Sequence, residues 1–160
     1  INFDLMLDYP LAAVSKLVMD PRVNRIIVNV HAKDELNMCI ANIIHYGKKA
    51  GISLNPGDEI HEYLYLLSSI GLVQLMTVEP GDQGNPLTTA PLEQTRELKA
   101  FNFDGLIEID GGVNFDTAKL VRDYPIDIVS VGSAISQAVV PEEVYEQLLE
   151  ILNSSSNSLL

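Results

Sequence analysis

Strict alternation is what most constrains the fold of this chain. Short runs rich in Val, Ile and Leu are followed, from end to end, by longer amphipathic runs. Strands are expected at 1–7, 25–30, 51–55, 72–78, 105–109 and 126–131. Helices are expected at 11–19, 34–49, 59–70, 91–101, 114–124 and from Pro141 onward. Leu36, Ile40, Ile43 and Ile44 fall at helical spacing in the second helix, as do Val140, Val144, Leu148 and Leu152 in the last. Asp34, Asp58 and Asn114 stand where side-chain N-caps belong, and Pro91 and Pro141 suit a first helical turn. Six β-α units with near-continuous apolar strands imply a parallel sheet covered by helices. Periodicity leaves two architectures open, an open doubly wound sheet and a (β/α)8 barrel.

Composition removes several functions. With 10 Lys+Arg against 22 Asp+Glu, the net charge is −12, which disfavours nucleic acid and anionic membrane as partners. Hydrophobic residues make up 47% of the 160, enough to bury a core. The single cysteine, Cys39, excludes an intramolecular disulfide and reads as a buried, inert thiol. No stretch has the length and apolarity of a membrane span, and no signal peptide is visible, so a cytoplasmic protein is expected. Residues 1–153 read as one domain and 154–160, rich in Ser and Asn, as a flexible tail.

Polar and glycine residues concentrate at the carboxyl ends of the strands. Asp110-Gly111-Gly112 ends the fifth strand and Gly132-Ser133 the sixth, and glycines at such positions let an anion approach backbone N–H groups. Asp110 is the strongest single candidate, because a carboxylate at the tip of an apolar strand is costly unless it is bonded, bound to metal or at work. His31 follows the second strand, whereas His45 and His61 fall inside helical runs and read as surface residues.

Six segments in order resemble the ribulose-phosphate 3-epimerase family. They are Phe3-Asp-Leu-Met-Leu before Pro10, Val30-His-Ala, Gly51-Ile-Ser-Leu-Asn-Pro-Gly57, Leu75-Met-Thr-Val-Glu-Pro-Gly81, Ile109-Asp-Gly-Gly-Val-Asn114 and Val131-Gly-Ser-Ala-Ile135. The resemblance implies a TIM (β/α)8 barrel of which this chain matches the last six units, the first two being missing from it. It implies a metal-dependent isomerase that interconverts D-ribulose 5-phosphate and D-xylulose 5-phosphate, or a close analogue, through an ene-diolate. The implied cofactor is a divalent ion (zinc, iron, manganese or cobalt), the implied partner a ketose phosphate, and the implied assembly a homo-oligomer. Asp110 matches the family's second aspartate, both acid/base and metal ligand. Gly111, Gly112, Gly132 and Ser133 match its phosphate cradle, Gly81, Asp82, Gln83 and Gly84 its closing loop, and Met76 an apolar residue beside the reacting face. His31 matches a position that is not a metal ligand and is expected to support the site by hydrogen bonding.

Two departures from the family pattern keep other readings open. Asp4 stands where the family has a metal-binding histidine, bringing an extra negative charge and a shorter reach to that ligand position. The closing loop reads Pro80-Gly81-Asp82-Gln83-Gly84-Asn85 where the family reads Pro-Gly-Phe-Gly-Gly-Gln, and a carboxylate there would repel a phosphate. A non-catalytic phosphosugar-binding paralogue and an inactive fragment are the alternatives.

Overall fold

The structure is a computed structural model that describes residues 1–33, 35–79 and 85–154. Asp34, proposed above as an N-cap, the closing-loop residues Gly81, Asp82, Gln83 and Gly84, and nearly all of the proposed tail lie outside the described residues. The elements run β1 (Asn2–Leu5), α1 (Leu11–Leu17), β2 (Arg25–Asn29), α2 (Leu36–His45), β3 (Lys49–Leu54), a 3-10 helix (Ile60–Leu66), β4 (Leu72–Met76), α3 (Ala90–Ala100), β5 (Leu106–Asp110), α4 (Phe115–Val121), β6 (Ile128–Ser130), α5 (Ser133–Ser136) and α6 (Pro141–Asn153). The six strands form one sheet in sequence order, β1-β2-β3-β4-β5-β6. A doubly wound sheet reverses its strand order at a switch point. This sheet has no reversal, so the order selects the singly wound, barrel-type arrangement of the two left open above.

The chain divides into two compact units. The first comprises Ile1–Leu54, Asp58–Gln74 and Phe103–Leu106, and the second Asn55–Gly57, Leu75–Asn102 and Ile107–Leu160. In the first unit β2 pairs in parallel with β1 and β3, with Asp4 opposite Ile27 and Ile27 opposite Gly51. All five residues of β2 are buried, the apolar run of Ile26, Ile27 and Val28 as anticipated and the polar Arg25 and Asn29 at its ends with it. Among the described strands β1 stands at one end of the order, and Asn2 and Asp4 are exposed on it. The core is built from Val14, Ile26, Ile43, Ile52, Leu54 and Ile60, each fully buried and each worth about 2 kcal/mol of burial.

Two helices of this unit depart from the sequence expectation. α2 buries Leu36, Cys39, Ile40 and Ile43, so Cys39 takes the place expected of Ile44, which is 44% exposed. The helix also ends early, at His45 rather than near residue 49. Gly47 adopts φ +70°, its N–H donates to the Ile44 carbonyl at 2.9 Å, and the Lys48 N–H donates to the Ile43 carbonyl at 3.0 Å. That pair of bonds is a Schellman stop, and it frees Lys49 to begin β3. The helix expected at 59–70 is a 3-10 helix whose N-cap position, Glu59, makes no side-chain capping bond, while the Asp58 carboxylate lies against His31 Nε2.

In the second unit β5 pairs in parallel with β6, placing Glu108 opposite Ile128, Ile109 opposite Val129 and Asp110 opposite Ser130. Leu75, Leu92, Leu98, Ile107, Ile109 and Ala118 form its core. Asn114 caps α4 as expected. Its side chain accepts from the N–H groups of Asp116 and Thr117 at 2.9 and 3.1 Å, and the Thr117 hydroxyl accepts from the Asn114 N–H at 2.9 Å. Asn114→Ala is expected to cost about 1 kcal/mol, read as a lower urea midpoint at unchanged slope. α5, a short helix directly after Gly132, was not anticipated from the sequence. Beside β6 and α6 lies a cavity of about 530 Å³ lined mainly by apolar side chains, among them Ile126, Ile128, Val129, Leu148, Leu149 and Leu152. Among the described residues no helix is long and apolar enough to cross a membrane.

Candidate active site

Asp110 is the last residue of β5 and is half-buried. Its carboxyl is pushed above the ordinary carboxylate range, first by burial and then by the charge of Glu108. Glu108 lies two residues earlier on the strand, hence on the same face, and is itself buried. The Ser130 hydroxyl donates to Glu108 Oε1 at 2.7 Å. Since Ser130 is also the cross-strand neighbour of Asp110, the three polar groups form one patch on β5 and β6.

Gly111 and Gly112 follow with φ +111° and +68°, a path that L side chains rarely adopt. Space is closed to them as well. A Cβ on Gly111 would lie 2.3 Å from a Val78 methyl, and one on Gly112 would lie 2.8 Å from the Leu87 backbone. The turn is pinned from both sides. Thr77 donates its N–H to the Asp110 carbonyl at 2.8 Å and its hydroxyl to the Gly111 carbonyl at 2.6 Å, and the Thr117 hydroxyl donates to the Gly112 carbonyl at 2.9 Å. Gly132 is exposed and precedes α5, in which Ser133 is the first residue. Met76 ends β4 and is buried.

A second polar cluster belongs to the first unit. Asn29 Nδ2 donates to Ser53 Oγ at 3.3 Å and lies 3.6 Å from Met6 Sδ, while Asn29 Oδ1 accepts the His31 N–H at 3.0 Å. His31 Nε2 sits 2.9 and 3.0 Å from the two Asp58 carboxylate oxygens. His31 therefore does make a hydrogen bond at a strand end. Asp4 is exposed in the middle of β1 in this same unit. His45 and His61 are both exposed, and burial pushes the Cys39 thiol up to about 11, as an inert thiol requires.

Thus the structure places Asp110, Gly111 and Gly112 in one continuous turn and adds Glu108, Ser130 and Thr77, which sequence reasoning did not single out. The spacing Glu108-x-Asp110 was a readable signal, since alternate strand residues share a face. Ser130 and Thr77 act through pairings that only the fold supplies. Among the described residues, no group of three or more His, Cys, Asp or Glu side chains gathers where a metal could be held. A metal centre needs about three protein ligands, so the described residues do not close one by themselves.

Comparison with known proteins agrees with this fold. The family model described as the ribulose-phosphate 3 epimerase family matches residues 1–136. Ribulose-phosphate 3-epimerase of Bacillus subtilis is 36% identical over 116 residues, covering 68% of this chain and 54% of the relative. The ribulose-phosphate 3-epimerase of Oryza sativa subsp. japonica named as the cytoplasmic isoform is 30% identical over 129 residues, covering 79% of this chain and 57% of the relative. The chain thus spans about half the length of the curated relatives it matches. Among solved structures, 3-hexulose-6-phosphate synthase from Salmonella typhimurium superposes with a TM-score of 0.71 at 20% identity, covering 94% of this chain and 72% of that one. That likeness concerns the fold alone, an α/β fold of the TIM type. With the family match running through every strand and through the Asp110-Gly111-Gly112 turn, the chain belongs to the ribulose-phosphate 3-epimerase family.

Proposed function

We propose that this chain carries one half of the chemistry of a ketose-phosphate 3-epimerase, acting on D-ribulose 5-phosphate or a close analogue. The observation that carries the reading is Asp110, a half-buried carboxylate at a strand tip, followed directly by the Gly111–Gly112 turn, in a chain of this family. Inverting a carbon beside a ketone requires removal of its proton from one face and return of a proton from the other. In the proposal the Asp110 carboxylate takes the C3 proton, the electron pair moves toward the carbonyl to give an ene-diolate, and a second acid on the opposite face protonates C3. A raised carboxyl suits this task, because a base whose proton affinity approaches that of its surroundings both takes and returns protons readily. Gly111, Gly112, Gly132 and Ser133 are proposed to receive the phosphate, with Gly81, Asp82, Gln83 and Gly84 covering the substrate and Met76 beside its reacting face.

Two further β-α units, completing a (β/α)8 barrel and supplying the second acid/base, belong to the proposal. So do a divalent ion, for which Asp110 and Asp4 are the carboxylates this chain would offer, a homo-oligomeric assembly and a cytoplasmic location. No step above depends on the ion. The second reading, a phosphosugar-binding paralogue without turnover, is favoured by Asp4 in the place of the family's histidine. The test is exchange of the C3 hydrogen of D-ribulose 5-phosphate in deuterated buffer with divalent metal supplied, followed by proton NMR. Exchange supports the epimerase. Saturable binding without exchange supports the paralogue, and neither binding nor exchange overturns both.

A further inference from the structure

The feature of the second unit that the proposed chemistry leaves unused is Thr77. It is fully buried immediately after β4, and all three of its polar groups are spent on neighbouring segments. Its N–H donates to the Asp110 carbonyl at 2.8 Å, and its Oγ1 lies 2.6 Å from the Gly111 carbonyl and 3.1 Å from that of Asp110. Its own carbonyl accepts the Thr88 N–H at 2.7 Å, which tethers the stretch whose Leu87 backbone covers Gly112.

A trans peptide is planar, with its C=O and the following N–H pointing in opposite directions. Anchoring the Asp110 carbonyl on Thr77 therefore turns the Gly111 N–H away from Thr77. Anchoring the Gly111 carbonyl on the hydroxyl does the same for the Gly112 N–H. Successive N–H groups held in this way form a concavity suited to an anion. The positive φ values of the two glycines are what let consecutive peptides present themselves so.

We propose that Thr77 is the positioning residue of the site: by holding the Asp110 and Gly111 carbonyls it aims the Gly111 and Gly112 N–H groups at the phosphate of the substrate. The inference rests on the reading of Gly111 and Gly112 as phosphate-binding. It separates threonine and serine, which keep the hydroxyl, from valine, which keeps the shape and loses the donor.

The experiment is a titration of the 15N-labelled 160-residue chain with inorganic phosphate, following the Gly111 and Gly112 amide resonances in the wild type and in Thr77→Val, Thr77→Ser and Thr77→Ala. The expected result is saturable shifts of both glycine amides in the wild type and in Thr77→Ser, at affinities within about twofold. Thr77→Val and Thr77→Ala should bind about tenfold more weakly, the loss of one hydrogen bond's net worth. Thr77→Ala carries the comparison should the valine variant fail to give a dispersed spectrum. Wild-type affinity in a folded variant lacking the hydroxyl overturns the role of Thr77 and leaves the phosphate reading standing. Absence of saturable shifts in the wild type overturns the phosphate reading, and the role of Thr77 with it.

Discussion

Asp110→Asn is expected to reduce C3 hydrogen exchange of the ketose phosphate by about 10³-fold or more, the scale on which a positioned general base contributes. The amide matches the carboxylate in size and cannot take a proton, so substrate affinity should change little while turnover is lost. The same substitution is expected to stabilise the metal-free fold at neutral pH. In the folded chain the Asp110 carboxyl is held above its ordinary value by burial and by Glu108. Between the ordinary and the raised value the native state therefore binds more protons than the unfolded one. Stability falls as pH rises through that window and stays lower above it. Asparagine has no charge to desolvate or to oppose Glu108. Asp110→Asn should thus melt at a higher temperature than the wild type at pH 7 in the presence of a chelator, and the gap should close once the pH drops below the ordinary carboxylate range. Faster melting of the variant at pH 7 would show that the Asp110 carboxylate is stabilised by its neighbours rather than strained by them.

Gly112→Ala is expected to be strongly destabilising. Two independent costs combine. The backbone sits at φ +68°, which costs an L residue about 1–2 kcal/mol. The new Cβ would also lie 2.8 Å from the Leu87 N and Cα, which are main-chain atoms that cannot rotate aside. Overpacking of that kind adds about 1–3 kcal/mol. A total loss of about 2–5 kcal/mol should appear as a lower urea midpoint, and it should exceed that of Asn114→Ala two residues away. At Gly111 the obstruction is the Val78 side chain, which a smaller residue at 78 can relieve. Val78→Ala should therefore lessen the cost of Gly111→Ala and do nothing for Gly112→Ala.

The alternation of apolar and amphipathic runs carried most of the architecture, because strands buried on both faces and helices buried on one leave different periods in the sequence. β2 and the capping of α4 by Asn114 follow from such local rules. What escaped the sequence depends on tertiary partners. Asp58 reads as a helix cap, yet the 3-10 helix takes Glu59 as its N-cap position and the Asp58 carboxylate lies against His31. Ile44 fits the apolar face of α2 as well as Cys39 does, and only the packing decides between them. At the site, Asp110 and its glycines were readable from type and position. Glu108 shares the face of Asp110 by strand spacing alone, but Ser130 and Thr77 were not readable, since the register that sets Ser130 opposite Asp110 and the bonds that tie Thr77 to the next strand's turn exist only once the sheet has formed. Gly81, Asp82, Gln83 and Gly84 lie outside the described residues.

Burial falls away sharply at the carboxyl-terminal end of the second unit. None of the three residues of β6 is fully buried, none of the four in α5 is, and α6 buries only Leu148 of its thirteen. β5, directly before them, buries Ile107, Glu108 and Ile109 out of five. Local opening of a segment costs roughly what its buried contacts are worth. Amide hydrogen exchange in this chain is therefore expected to show lower protection in β6, α5 and α6 than in β5. Asp110 and the glycine turn stand on the near side of that divide, and Gly132 and Ser133 on the far side.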